Sequence, residues 1–341
     1  MIKEAVYKIT ENCPCNCSFC DSREKYEKIL KKKTMTLDQW INITNKLLDN
    51  GLEVVVISGG EPLLHEEIAL PLTKYLQDNG VFVVINASGA LFSENNKKLN
   101  NLLKNYPDLL VFSVDSSNSE KHDINRSFDG LFERVINSIK YIKSIGDYPV
   151  GIRTVITKNN YTEIPEIIRK FSSLGVDCIK LTNIENDLDG NFRLSKEDLD
   201  FFNSEIKPKI YEVLKDCYYE DDFLLDENIK KISKLLSSES PNYIEISRGK
   251  FSPKLTGNAP CDLAGRFVAV QSNGDVLPCC EAEHHYYPLL GNILNNTLSE
   301  IYSSNSYETF KNNRAEYCIT CTQSHNLQLD FKVKVKKVDR R

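Results

Sequence analysis

Short continuous apolar runs punctuate the first half of the chain. They lie at residues 5–10, 54–57, 81–85, 109–114, 150–156 and 178–181. Runs of this length without alternation read as strands buried on both faces, the habit of parallel sheets. Between them, apolar residues recur at helical spacing. Leu37, Trp40, Ile41, Leu47 and Leu48 form one stripe, opened by the capping-box sequence Thr36-Leu37-Asp38-Gln39 and closed by Gly51. Further helices are expected at 66–78, at 95–105, at 131–145 (Leu131, Val135, Ile139, Ile142) and at 164–174. The charged stretch 24–33 reads as a solvated loop or short helix. Six strands alternating with helices predict right-handed βαβ units and a parallel α/β sheet, either open or an incomplete barrel. In both, ligands sit where the strands end. The segments 13–20, 59–62, 86–89 and 115–117 each follow a strand and are therefore expected on one rim.

The rhythm changes after residue 187. Ser195 caps an expected helix running toward Cys217 and interrupted at Pro208, followed by the polar, acidic stretch 217–222. Residues 267–277 hold two apolar runs about Asn273-Gly274, a hairpin signal. Thr297-Leu298-Ser299-Glu300 is a second capping box. The final stretch 331–341 alternates apolar with basic residues and reads as a solvated tail rather than an edge strand. The expected division is a barrel domain at 1–186, a helical bridge at 187–254, a small cysteine-rich domain at 255–330 and a basic tail at 331–341.

Charge and composition narrow the partners. A formal net charge of −5 over 341 residues offers no positive field for nucleic acid. No apolar run approaches the roughly 20 residues that span a bilayer, and the N-terminus lacks the apolar core of a signal peptide, so a cytoplasmic location is expected. The chain holds 11 cysteines, an odd number in a compartment that keeps thiols reduced, which argues against disulfides. They fall in two groups, 13–20 and 261–321, with only Cys178 and Cys217 apart, and two groups suggest two metal sites.

In the first group the spacing is Cys13-x3-Cys17-x2-Cys20. Three thiolates on one short loop grip three irons of a [4Fe–4S] cube and leave the fourth open, as a reactive metal site requires. A zinc site and a closed cluster using Cys15 are the alternatives. In the second group Cys261, Cys279, Cys318 and Cys321 supply four ligands, with the 273–274 hairpin folding Cys279 back toward Cys261. Zinc is again the alternative. Cys280 competes with Cys279, but neighbours in an extended chain point opposite ways.

The first cysteine spacing, with Phe19 before its last member, resembles the radical S-adenosylmethionine (radical SAM) superfamily. Ser58-Gly59-Gly60-Glu61-Pro62, Ser113-Val114-Asp115, His122-Asp123, Arg126 and Arg153 resemble further motifs of that family, and the likeness covers about residues 5–185. The second group, with no cysteine after Cys321, resembles the family's SPASM or twitch extension in its shorter, one-cluster form.

The resemblance implies a partial (β/α)6 TIM-like barrel with a small twitch domain. It implies a [4Fe–4S] cluster on Cys13, Cys17 and Cys20 whose free iron is chelated by SAM, and an auxiliary [4Fe–4S] cluster on Cys261, Cys279, Cys318 and Cys321. Gly59 and Gly60 would let backbone approach the SAM ammonium group, Glu61 would add a carboxylate or only fix the turn, and Phe19 would pack beside adenine. Ser88, Ser113 and Asp115 would line the same pocket, and Arg153 would hold the cofactor carboxylate. The implied reaction is reductive cleavage of SAM to a 5′-deoxyadenosyl radical that takes a hydrogen atom from substrate, the electron coming from an external flavodoxin- or ferredoxin-type reductant. Cys217 and Cys280 are candidates for returning a hydrogen atom.

A peptide substrate is expected first, undergoing oxidation, cross-linking or epimerisation. A sugar or aminocyclitol dehydrogenase or epimerase comes second. A reading from another class is an electron carrier or zinc adaptor without SAM cleavage. Only twelve residues precede Cys13, so no leader-peptide-binding domain is expected at that end.

Overall fold

The computed structural model describes residues 2–20, 34–92, 97–184, 190–237, 265–278, 288–313 and 326–333. These fall into two compact units, the first drawn from 1–16, 20–110 and 258–317, the second from 17–19, 111–257 and 318–341. The strands in chain order are β1 (Glu4–Thr10), β2 (Val54–Gly59), β3 (Phe82–Ala87), β4 (Leu109–Ser113), β5 (Val150–Ile156), β6 (Cys178–Asn183), β7 (Phe267–Val270), β8 (Asp275–Leu277), β9 (Gly291–Asn292) and β10 (Leu327–Asp330).

In the first unit β1, β2 and β3 run parallel, with Val6 opposite Val56 and Val56 opposite Val84. The apolar runs that predicted these strands are buried on both faces. The helix Leu37–Leu48 begins at the expected capping box: the Thr36 side chain accepts from the Gln39 N–H, and the Gln39 side chain accepts from the Thr36 N–H. Its buried face is Trp40, Ile43, Thr44 and Leu47, so of the expected stripe Trp40 and Leu47 are buried while Leu37, Ile41 and Leu48 are half-buried; the Trp40 ring lies 4.8 Å from that of Tyr7. The helix Glu66–Asp78 has the expected limits. On the other side of β1, β7 pairs parallel from Glu4↔Phe267, and the 273–274 turn returns the chain as β8. Gly274 takes a φ of 87°, the left-handed conformation this hairpin needs. The hairpin thus adds strands to the N-terminal sheet.

In the second unit β5 and β6 pair parallel from Gly151↔Cys178, and β10 closes the edge antiparallel, Leu327 opposite Leu181. The edge strand therefore lies just before the stretch whose alternation suggested one. Its pattern is concealed because its polar residues are buried: Lys231 Nζ donates to Asp330 at 2.8 Å, and the Asn228 side chain bonds both the N–H and the carbonyl of Asp330. Helices occupy Leu131–Ile145 and Ile164–Ser173 here, and Lys97–Lys104 in the first unit, all within two residues of expectation. From Ser195 the helix runs through a π-turn at Phe202–Ile206 before continuing as Lys207–Lys215. The widened turn accommodates Pro208, which lacks an N–H and crowds the preceding turn. A helix at Ser119–Arg126 was not expected: Ser-Glu-Lys-His-Asp-Ile-Asn-Arg has no apolar stripe, and the helix rests on its Asn118 cap and its docking.

The expected 24–33 element and most of 331–341 lie outside the described residues. Among the described residues no helix is long and apolar enough to cross a membrane.

Candidate metal centre

The first unit supplies the entry to the cysteine loop. β1 ends at Thr10, and the Gly59-Gly60-Glu61 turn lies directly against residues 10–12. The Gly60 N–H donates to Thr10 O and the Glu61 N–H to Asn12 O, both at 2.7 Å. A Cβ on Gly59 would sit 2.3 Å from Thr10 O, and one on Gly60 2.2 Å from Asn12 O. Both glycines are therefore required by the approach of this chain to itself. That refines the expectation that they make room for the cofactor: their hydrogen-only faces are taken by the strand that leads into Cys13.

Glu61 is buried and fixes the same turn. Its carboxylate accepts from Leu63 N–H at 3.3 Å, Ser88 N–H at 2.7 Å and Ser88 Oγ–H at 2.5 Å. Burial pushes its carboxyl above the ordinary range, and the Ser88 bonds oppose that shift. Ser88 is committed to Glu61 and to the Ala90 N–H, so both residues act by holding two strand-end turns together. Glu11 was missed by the sequence reading. It is buried two residues before Cys13, accepts from Ser272 Oγ–H at 2.8 Å, and its second oxygen has no partner among the described residues. A single Glu after a strand gives no signal in sequence.

Within the loop Cys13 and Cys20 are exposed, Cys17 is half-buried and Cys15 is buried. A hydrogen bond between the Cys15 and Cys13 thiols pushes the Cys13 thiol well above its ordinary value. Cys15 is thus the cysteine turned inward, as suits a non-ligand. Among the described residues no three His, Cys, Asp or Glu side chains are already gathered for a metal. The donor set nevertheless fits an iron–sulfur cluster with an open position: three accessible thiols at tight spacing, ordered when the metal loads.

The second unit holds Cys17 and the residues behind it. Ser18 is bound twice to Asn125, N–H to carbonyl at 2.9 Å and hydroxyl to Oδ1 at 2.6 Å. Arg126 is buried; its Nη1 lies 3.6 Å from Cys17 Sγ and its guanidinium 5.4 Å from the centroid of the Phe19 ring. The expected adenine neighbour Phe19 packs here on Arg126 and edge-on to Phe192. Asp115 accepts from Arg126 Nε at 2.6 Å, Asn125 Nδ2 at 3.2 Å and Val155 N–H at 3.3 Å. Both carboxylate oxygens are engaged inside the protein, where Asp115 orients Arg126. Arg153 is half-exposed and donates from Nε to Thr182 Oγ1 at 3.4 Å. Ser113 ends β4 and is half-exposed.

His122 closes this arrangement from below. Its Nδ1 accepts from the Asp115 N–H at 3.2 Å, which only the neutral ring can do, and its Nε2 is buried without a partner among the described residues. Burial, reinforced by the Arg126 charge, holds the imidazole down to about 4. An unfolded His titrates near 6.5, so between those values the unfolded chain binds more protons and stability falls as pH falls. Taking the protein from about pH 7 to about pH 5 is expected to cost about 2 kcal/mol through this group. Urea denaturation followed by far-UV circular dichroism reads the loss, and His122→Gln should flatten it.

Cys217 does not join this end. Its thiol contacts Val213 O at 3.2 Å and Ser172 Oγ at 3.3 Å, beside the helix that leads into the start of β6, whereas Asp115 follows the end of β4. Burial pushes its thiol up. That placement does not suit hydrogen-atom return at the strand ends. Cys178 is buried at the start of β6. Cys261, Cys279, Cys280, Cys318 and Cys321 lie outside the described residues.

Residues 7–171 match the radical SAM superfamily, and residues 261–322 match SPASM, an iron–sulfur cluster-binding domain. The AdoMet-dependent heme synthase of Methanosarcina barkeri is 26% identical over 312 residues, 87% of this chain and 81% of its own length. The subtilosin biosynthesis protein AlbA of Bacillus subtilis is 28% identical over 184 residues, 53% of this chain and 39% of its own. The crystal structure of Streptococcus suis SuiB bound to precursor peptide SuiA superposes with a TM-score of 0.66 at 19% identity, over 91% of this chain and 66% of that one.

Proposed function

The chain is a radical SAM enzyme with a SPASM-type C-terminal domain, and from that premise we propose that it modifies a peptide by hydrogen-atom abstraction. Its fold is an α/β partial barrel, and its cofactors are SAM, a SAM-binding [4Fe–4S] cluster and an auxiliary iron–sulfur cluster. When bound, SAM and its cluster supply one-electron reduction and hydrogen-atom abstraction.

In this reading Cys13, Cys17 and Cys20 hold the SAM cluster, and Cys261, Cys279, Cys318 and Cys321 hold the auxiliary one, all four lying within the SPASM match. The Gly59–Gly60 turn positions the loop, Glu61 and Ser88 lock that turn, and Arg126 backs Cys17. Arg153 is the half-exposed cation available for the cofactor carboxylate. An external one-electron reductant supplies the electron. The division into 1–186, 187–254, 255–330 and 331–341 is kept as the functional one, with Cys280 a candidate hydrogen-atom donor and Cys217 left out.

The peptide assignment rests on one observation: the fold match to SuiB, over nine-tenths of this chain, is to a complex with a precursor peptide. AlbA, a bacteriocin biosynthesis protein, supports it. The outcome on the peptide is oxidation, a cross-link or epimerisation. A second reading, a small-molecule oxidoreductase or epimerase, is favoured by the heme synthase, which matches nearly the full chain.

Incubating the reconstituted enzyme with SAM, reductant and short peptides encoded beside its gene tests the proposal by mass spectrometry. Loss of two hydrogens, or uptake of one deuterium from D2O, supports it. Unchanged peptides alongside turnover of a small alcohol favour the second reading.

A further inference from the structure

Arg126 has a role that cofactor binding alone does not use. It sits at the last position of the helix Ser119–Arg126 and is buried, with Asp115 Oδ2 on Nε at 2.6 Å. Its Nη1 turns the other way, to 3.6 Å from Cys17 Sγ. The same guanidinium lies over Phe19, and the Asn125–Ser18 pair of bonds clamps the loop backbone onto the end of this helix. The cation therefore cannot drift from the sulfur: Asp115 grips it from behind, Phe19 from the face, and Asp115 is itself anchored by Val155 N–H and Asn125.

We propose that Arg126 is a positioning and electrostatic residue that raises the reduction potential of the cluster carried by Cys17, so that an ordinary cellular reductant can load it. The inference rests on Cys17 being a ligand of the SAM-binding cluster. Taking one electron from the external reductant adds a negative charge to the iron–sulfur core. A fixed positive charge beside a ligand sulfur stabilises the reduced core more than the oxidised one, and burial lessens the screening of that difference. The Asp115 charge opposes this, but it is held at Nε, whereas Nη1 is the nitrogen that contacts the sulfur. The loop also carries three thiolates and no Lys or Arg between Cys13 and Cys20, so the compensating charge comes from outside it.

The test is an EPR-monitored redox titration of the reconstituted full chain. The relevant cluster is identified by the change its signal undergoes on adding SAM. In Arg126→Gln the ratio of reduced to oxidised cluster at a fixed potential should fall about tenfold, which for a one-electron couple is a shift of about 59 mV. Arg126→Lys keeps the charge and should stay within about twofold of the parent. A fully loaded R126Q protein with the parent's potential overturns the inference.

If R126Q fails to load, the double variant Arg126→Met/Asp115→Asn removes cation and counter-ion together, which spares an unpaired buried charge. The double variant should then show a fall in the same direction but smaller than tenfold, because the opposing Asp115 charge leaves with the cation. Failure of both to load the cluster assigns Arg126 a purely structural role and overturns the inference. Absence of any SAM-sensitive cluster in the parent protein is a different result: it removes the assignment of Cys13, Cys17 and Cys20, and this inference with it.

Discussion

Changing Cys13, Cys17 and Cys20 together to alanine is expected to abolish formation of 5′-deoxyadenosine while leaving the auxiliary cluster in place. The reason is chemical. Those three thiols are the only donors in the loop that are exposed or half-exposed, and Cys15, the fourth, is turned inward against Cys13. Iron content should fall from about eight to about four per chain, the share of one [4Fe–4S] cluster. The single change Cys15→Ala should leave iron content and SAM cleavage within about twofold of the parent, because a non-ligand thiol gives no bond to iron and its hydrogen bond to the Cys13 thiol is replaced once Cys13 binds metal. If Cys15→Ala instead removes four irons, the loop holds a closed cluster and the open position does not exist.

The second large effect belongs to a residue with no chemistry of its own. In Gly60→Ala the new methyl would lie 2.2 Å from Asn12 O, 2.5 Å from Asn12 C and 2.7 Å from Glu11 O. All three are backbone atoms, so no side chain can swing aside. The turn or the start of the cysteine loop must move, and the paired bonds from Gly60 and Glu61 N–H to Thr10 and Asn12 O must lengthen. Displacement of about 1 Å at a reacting centre costs on the order of 10²-fold in rate. G60A is therefore expected to retain bound iron yet cleave SAM about 10²-fold more slowly. Single-turnover measurement of 5′-deoxyadenosine reads it, and a parent-like rate would show that the turn does not set the loop's position.

Much of this was legible in the sequence. Continuous apolar runs gave the parallel strands because strands buried on both faces leave no polar alternation. The capping boxes at Thr36 and Thr297 gave helix starts because the bonds they make are local. The three-cysteine spacing and the Gly59-Gly60-Glu61 turn were visible because both are short and compositionally distinctive.

What stayed hidden depends on residues distant in sequence. The helix Ser119–Arg126 is polar along its length, and its value lies in bringing Arg126 to Cys17, more than a hundred residues earlier. β10 was concealed because Asp330 and Gln328 look exposed until Lys231 and Asn228 are known to meet them. Gly59 and Gly60 were expected to make room for the cofactor; only the fold shows that residues 10–12 occupy the space their side chains would need. Asp115 and Ser88 were expected as pocket groups, and the hydrogen bonds they make run to Arg126 and Glu61. A sequence marks polar residues at strand ends; it does not say which of them spend their hydrogen bonds inward.

The central claim is that the loop at 13–20 and the turn at 59–61 form the reductive SAM-cleaving centre. Its most direct test is to reconstitute the full chain anaerobically, add SAM and a low-potential reductant, and quantify 5′-deoxyadenosine against bound iron. The account predicts about eight irons per chain and 5′-deoxyadenosine that accumulates only when reductant is present. Bound zinc, or a fully loaded iron–sulfur protein that leaves SAM intact, would contradict it.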